Sequence, residues 1–145
     1  MKEVQVLLVE DNQGDVLLTR EAFINWKIKN SIVTLKDGEE ALRYLNREYP
    51  FTNVSTPDLV ILDINLPKID GKEVLKSIKS CPALKQLPVV IFSSSCMDID
   101  VEEIKHSKAD YYLQKPVDLS GYFEAIRSIQ NFWMNNFKRG SYEVQ

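Results

Sequence analysis

The eleven residues Pro57-Asp58-Leu59-Val60-Ile61-Leu62-Asp63-Ile64-Asn65-Leu66-Pro67 contain the most informative pattern of the chain. The apolar run from Leu59 to Leu62 is long enough for one buried strand. It stops at the carboxylate of Asp63, and a strand-breaking proline, Pro67, follows four residues later. Because ligands of open α/β sheets bind outside the carboxyl ends of the strands, Asp63 is predicted to lie where chemistry takes place.

Other parts of the chain repeat this alternation of an apolar run and a helical segment. The run at residues 59–63 is the third of five predicted strands, and the others are residues 4–9, 31–36, 89–92 and 110–114. Helical periodicity follows each strand, and it is weakest at residues 98–107 and longest at about residues 119–138. Strands that are apolar throughout predict a parallel sheet with helices on both faces. We therefore expect an α/β fold, a doubly wound five-stranded parallel sheet of the flavodoxin-like (βα)5 kind, with strand order 2-1-3-4-5.

Length and composition exclude several classes of protein. The 145 residues predict a single domain, residues 1–145, and no apolar segment approaches the roughly 20 residues that span a bilayer. The net charge is −3 without a basic block, which argues against direct nucleic-acid binding. The N-terminus lacks the pattern of a signal peptide, and the two cysteines do not form a metal-site motif. A cytoplasmic protein with reduced thiols and no membrane attachment is expected.

Polar side chains of distinct chemistry follow four of the predicted strands. In the order 2-1-3-4-5 the third strand lies between the first and the fourth, which places Asp63 at the centre of these residues. Lys115 starts two strands away, at roughly 10 Å, and its extended side chain can approach Asp63. The full set is Glu10 and Asp11 after the first strand, Asp63 after the third, Ser93 after the fourth and Lys115 after the fifth.

The chemistry of this set favours phosphoryl transfer. Crowded carboxylates repel one another unless a cation intervenes, and Mg²⁺ suits one or two carboxylates together with a phosphate oxygen. Asp63 is then the nucleophile that forms an aspartyl phosphate, and Lys115, the metal and the Ser93 hydroxyl stabilise phosphoryl oxygens. The alternative for any single acid here is a helix cap or a solvated turn, and only the joint pattern outweighs it.

At this point the chain resembles the receiver domain of two-component response regulators, over nearly its whole length. The resemblance implies that Asp63 accepts a phosphoryl group from a sensor histidine kinase or a histidine phosphotransfer protein. It also implies a Mg²⁺ site. The proposed ligands are Glu10, Asp11, Asp63 and the backbone carbonyl of Asn65. The residues that carry the resemblance are Glu10-Asp11, Asp63 in Leu62-Asp63-Ile64-Asn65-Leu66-Pro67, Asp70-Gly71, Ser93 and Lys115-Pro116.

The same resemblance implies a switch. The hydroxyl of Ser93 is expected to move towards the phosphoryl group, and the aromatic ring of Tyr112 to turn inward; the alternative for Tyr112 is an ordinary strand residue packed under a helix. The Lys115–Pro116 peptide bond is expected to be cis. A narrower resemblance, carried by residues 49–57, 66–68 and 84–89, is to stand-alone receivers that partner bacterial phytochromes.

The last predicted helix carries more apolar residues than one narrow stripe requires. We expect its end, with Phe132, Trp133 and Phe137, to mediate homodimer formation or kinase docking. The alternative is a wide face that packs entirely into the core.

A phosphatase of the haloacid dehalogenase type is the competing function, because it uses the same residue types. Such an enzyme needs a second acid two residues after its nucleophile, and this chain has Asn65 there. Two further alternatives are weaker. A nucleotide-binding domain lacks support because no glycine-rich loop follows the first strand, and a module that never receives phosphate would not need the complete acceptor set.

Overall fold

A five-stranded parallel sheet forms the centre of the described part of the molecule. The computed structural model describes residues 2–94, 109–138 and 140–144. The strands are β1 (Val4–Val9), β2 (Asn30–Leu35), β3 (Leu59–Leu62), β4 (Val89–Ser93) and β5 (Tyr111–Gln114), in the order β2-β1-β3-β4-β5. The predicted fold class and strand order are confirmed.

Within the described residues, three helices connect successive strands and a fourth follows β5. They are α1 (Gln13–Ile24), α2 (Gly38–Leu45), α3 (Gly71–Ser80) and α4 (Leu119–Asn136). Each begins directly after a side chain that accepts a hydrogen bond from the N–H three residues later, which satisfies one free donor of the first turn. These N-caps are Asn12, Asp37, Asp70 and Asp118. The helix predicted at residues 98–107 lies outside the described residues.

The sheet separates two hydrophobic layers. Alternate side chains of β1 enter opposite layers, Val6 and Leu8 on one face and Leu7 and Val9 on the other. The first layer packs under α1 and α4, and the second under α2 and α3. Because both faces are covered, the strands can be apolar at every position.

The register of the strands brings their carboxyl ends together at one end of the sheet. Val9 pairs with Leu62, so the residues that follow them, Glu10 and Asp63, are neighbours. On the other side of β3, Leu62 pairs with Ile91, and the N–H of Lys115 donates to the carbonyl of Ser93 at 2.9 Å. Each polar residue therefore leaves the sheet at nearly the same height.

The C-terminal residues return to the opposite end of the sheet, where the strands begin. The sequence did not predict this contact. Tyr142 forms a parallel bridge with Lys2, and Val144 forms an antiparallel bridge with Ile28. The ring of Tyr142 is buried against Trp133, with 5.1 Å between ring centroids. This segment closes the first hydrophobic layer at the end remote from the polar residues.

None of the helices in the described ranges combines the length and the hydrophobicity that crossing a bilayer requires.

Candidate functional site

Three carboxylates meet at the carboxyl end of the sheet. One oxygen of each of Glu10, Asp11 and Asp63 lies within 4.8 Å of the others. Glu10 and Asp63 are buried, at 3% and 6% exposure, whereas Asp11 faces solvent. Oxygen ligands of this kind, with one open side, suit a hard divalent cation that keeps several waters. The donor set therefore fits the predicted metal.

The Lys115 side chain crosses from the end of β5 into this cluster. Its ammonium donates to Glu10 Oε1 at 2.5 Å, to Asp15 Oδ2 at 2.8 Å and to Asp63 Oδ2 at 3.0 Å. These contacts account for the three donors of a lysine. The predicted approach of Lys115 to Asp63 is present, and the cation is buried only because carboxylates surround it.

The two oxygens of Asp63 have different partners. Oδ2 faces Lys115, whereas Oδ1 accepts from the Ser93 hydroxyl at 2.7 Å and from the Asn65 N–H at 3.2 Å. Ser93 is fully buried at the end of β4. The carboxylate of Asp63 is thus fixed from both sides before any ligand arrives.

The protein environment shifts the pKa values of the two buried acids, Glu10 and Asp63, in opposite directions. Burial raises the pKa of Glu10 to about 7, and the hydrogen bond from Lys115 only partly opposes this. Burial also acts to raise the pKa of Asp63, but the Ser93 hydroxyl and the Lys115 ammonium outweigh it, so the pKa lies below its usual range. For Lys115, burial lowers the pKa, but Asp15 and Glu10 reverse this and the pKa is raised. Asp63 is therefore ionised at neutral pH and faces a full positive charge.

Close packing of α3 beneath Asp63 fixes the backbone of the acceptor. The N–H of Gly71 donates to the carbonyl of Ile64 at 2.8 Å. A Cβ placed on Gly71 would lie 2.1 Å from the carbonyl oxygen of Asp63 and 2.7 Å from the Cα of Ile64. Only glycine allows the helix to approach the strand end this closely.

Asp15 is the site residue that sequence reasoning missed. It lies in the first turn of α1, which begins at the carboxyl end of β1, and helical side chains tilt towards the N-terminus of their helix. That direction carries the carboxylate of Asp15 back to Lys115. An acid in the first turn after Glu10-Asp11 was the available signal, but it has an ordinary explanation in the helix dipole.

Comparison with known proteins identifies the family. The sequence model of the family described as the response regulator receiver domain matches residues 6–127 of this chain. The chain belongs to the response regulator receiver domain family. Receiver domains are phosphoacceptors of two-component signalling and not enzymes that act on external substrates, so the phosphatase alternative is not supported.

The relatives agree with the narrower resemblance to receivers associated with phytochromes. Response regulator Rcp1 of Synechocystis sp. is 36% identical over 129 residues, which cover 89% of this chain and 88% of that protein. The crystal structure of the phosphorylated cyanobacterial phytochrome response regulator RcpA has a TM-score of 0.89 and 39% identity, covering 97% of this chain and 98% of that one. The Mn²⁺-bound form of Rcp1 has a TM-score of 0.89 and 34% identity, covering 95% and 99%.

Two details of the receiver resemblance fall on β5 and the residues after it. Tyr112 is half-buried and packs against the layer under α2 and α3. The Lys115–Pro116 peptide bond is trans, so the expectation of a cis bond is wrong for this structure; the cis bond among the described residues is Tyr49–Pro50. With this trans bond, the side chain of Lys115 still reaches the carboxylate cluster.

The end of α4 differs from the predicted interface in one residue. Trp133 is 1% exposed, its ring packs against Trp26 and Tyr142, and its Nε1–H donates to the Asp58 carbonyl at 3.1 Å. Trp133 is therefore a core residue of the receiver monomer, and its assignment to an interface is wrong. Phe132 and Phe137 remain partly exposed beside Tyr111.

Proposed function

We propose that Asp63 is the residue that accepts the phosphoryl group, from a sensor histidine kinase or a histidine phosphotransfer protein. One observation carries this proposal: the central acid has Lys115 on one oxygen and Ser93 on the other. A phosphoryl group on Asp63 has two hydrogen-bond donors within reach. Its negative oxygens are stabilised where charge accumulates.

The metal of the proposed site is Mg²⁺, held by Glu10, Asp11, Asp63 and the backbone carbonyl of Asn65. When bound, the ion neutralises charge on the acids and on the phosphoryl oxygens. The spacing of the three carboxylates supports a divalent ion at this position, and the existence of a Mn²⁺-bound form of the related Rcp1 agrees with a divalent ion in this family. Oxygen ligands suit both Mg²⁺ and Mn²⁺, and the greater cellular availability of Mg²⁺ favours it over Mn²⁺.

The proposed site holds its phosphoryl group as a signal. Transfer to Asp63 and slow hydrolysis of the aspartyl phosphate are both catalysed by the receiver itself. Asn65 occupies the position where a phosphatase of the haloacid dehalogenase type needs a general acid, and its N–H already donates to Asp63. Without that acid, rapid turnover of substrates is not expected.

Phosphorylation at Asp63 is proposed to shift a conformational equilibrium. Ser93 would donate to a phosphoryl oxygen instead of Asp63 Oδ1, and its movement would open space for the ring of Tyr112. Ser93 is the last residue of β4, and Tyr112 lies on the neighbouring paired strand β5, opposite Ile91. Binding of a partner, rather than a reaction, is then the output of the switch.

The decisive test is intact-mass analysis after incubation with acetyl phosphate. With Mg²⁺ we expect a gain of one phosphoryl group, because the acid cluster needs a cation before it can hold further negative charge. Excess EDTA, added before the acetyl phosphate, is expected to prevent the adduct from forming, and beryllofluoride with Mg²⁺ is expected to give its own. Absence of an adduct with both reagents in the presence of Mg²⁺ would refute the acceptor assignment.

The kinase that we propose as partner is of the bacterial phytochrome class, in the cytoplasm. The similarity to RcpA and Rcp1 supports this choice. Phosphoryl transfer from a purified phytochrome kinase should then be much faster than transfer from a histidine kinase of another sensory class at equal concentration.

A homodimer through the remaining aromatic surface of α4 is also proposed. The rings of Tyr111 and Phe132 stack at 4.5 Å, and Phe137 lies 5.5 Å from Phe132, all beside the edge strand β5. We expect light scattering to give the mass of two chains for the wild type and of one chain for a Phe132→Ser, Phe137→Ser variant. Tyr49→Ser, which removes an exposed ring from a distant loop, is the control. A wild type with the mass of one chain contradicts the proposal.

A further inference from the structure

We propose that Asp15 is a positioning residue for phosphoryl transfer, because its carboxylate holds the ammonium group of Lys115 beside Asp63. The inference rests on the proposed function of Asp63 as acceptor. It assigns a role in the reaction to a fourth acid, outside the predicted ligand set.

The geometry separates Asp15 from the other acids. Its Oδ2 lies 2.8 Å from Lys115 Nζ, in an ion pair whose lysine side chain is 6% exposed and whose aspartate side chain is 25% exposed. Among the described residues, the carboxylates close enough together to share one metal ion are Glu10, Asp11 and Asp63, without Asp15. The contact of Asp15 with this site passes through the lysine.

Lys115 needs such a partner because its other two acceptors have second duties. Glu10 and Asp63 also belong to the proposed metal site, and Asp63 changes chemically when it accepts the phosphoryl group. Like charges repel, so an ammonium and a divalent cation compete for these carboxylates. Asp15 is the acceptor that stays available to Lys115. A long side chain that keeps one fixed contact samples fewer conformations than a free one, so its charged group is placed more precisely for the reaction.

Asp15 is itself held in place by the fold. Its backbone carbonyl accepts from the Thr19 hydroxyl at 2.9 Å and from the Tyr122 hydroxyl at 3.1 Å. Tyr122 comes from α4, is 3% exposed, and packs edge-on against Phe92 at 5.2 Å. The first turn of α1 is therefore fixed to α4, whose Tyr122 in turn packs against β4. The backbone that carries the Asp15 carboxylate is thus fixed before phosphorylation begins.

The reaction used to test the inference is transfer from acetyl phosphate. The bond between phosphorus and the bridging oxygen of the acetyl group breaks, and a bond forms between phosphorus and a carboxylate oxygen of Asp63. Acetate leaves with the electron pair of the broken bond. Lys115 donates to the phosphoryl oxygens during transfer, so displacement of its ammonium group slows the reaction.

The experiment compares initial rates of adduct formation by intact mass, at saturating Mg²⁺. Asp15→Asn keeps the size of the side chain but removes its charge, and we expect a rate about tenfold lower, as for loss of a charge-assisted hydrogen bond that acts at one step removed. Asp15→Glu restores the charge and should recover much of the rate. Glu21→Gln, an equal change of charge at an exposed position of the same helix, should react as the wild type does.

A second measurement, made without metal or phosphodonor, separates positioning from a general effect on α1. The NMR order parameter of the Lys115 side chain, assigned with Lys115→Arg, should fall in Asp15→Asn and stay unchanged in Glu21→Gln. Thermal melting of each variant checks that it is folded.

Each outcome decides one of the two assignments. If the wild type takes up no phosphoryl group, the acceptor assignment of Asp63 fails and the role of Asp15 fails with it. If the wild type reacts and Asp15→Asn reacts equally fast, only the role of Asp15 is overturned. A slower Asp15→Asn variant whose Lys115 is as ordered as in the wild type also overturns positioning, because the defect then arises elsewhere.

Discussion

Asp63→Asn is expected to abolish phosphoryl uptake from acetyl phosphate, with no adduct detectable by intact mass under conditions that label the wild type. The amide nitrogen is not a nucleophile towards phosphorus. Glu10 also has a donor on each oxygen, Lys115 and the Asn12 N–H, but the Ser93 hydroxyl donates to Asp63. Reduction of the labelled wild type with borohydride, followed by peptide mapping, should place the modification at Asp63.

The fold of this variant should survive. The amide oxygen of asparagine can still accept from Ser93, which donates to Oδ1 at 2.7 Å in the wild type. Asp70→Asn is the matched control, since Asp70 is an exposed N-cap of α3 and asparagine caps helices as well as aspartate does. That variant should be labelled like the wild type. Label that persists in Asp63→Asn would mean that a different residue is the acceptor.

The sequence predicted the site because the apolar runs end where the strands end. Leu62 is the last residue of β3, and the polar residue that follows it must leave the sheet at its carboxyl edge. Once the order of the strands is known, parallel register brings Glu10 and Asp63 together without any information about side chains. Fold and candidate site therefore follow from the same few boundaries.

The sequence could not show in which direction an individual side chain points or which residues pack over it. Asp15 contacts Lys115 across 100 residues of chain, and helical periodicity carries no information on that distance. Trp133 belongs to a helix with several apolar faces, and the residues that cover it, Trp26 and Tyr142, come from the loop after α1 and from the C-terminal segment. Amphipathic pattern alone cannot distinguish an exposed ring from one that a distant segment covers.

The contacts of Lys115 also show why the acceptor is both stable and reactive. Neutral replacement of the lysine would leave buried carboxylates without a cation, so the same ion pairs that fix Asp63 offset the cost of its burial. The Ser93 hydroxyl and Lys115 hold the pKa of Asp63 down, so the attacking form is populated at neutral pH. Preorganisation of the acceptor and tolerance of the buried charge thus have one origin.

Gly71→Ala is expected to cost about 3 kcal/mol or more of the free energy of unfolding, at the upper end of overpacking effects. The added Cβ would meet backbone atoms of Asp63 and Ile64, which belong to the strand end and cannot rotate away. Relief of the clash must shift Asp63, so uptake of phosphoryl groups should slow as well.

Urea denaturation measures the loss of stability, and Gly14→Ala is the control. The nearest atom there is the Asn12 side chain at 3.2 Å, and the change should stay below about 1 kcal/mol. Equal stability of the two variants would show that α3 can move away from Asp63 without cost, against the close packing described above.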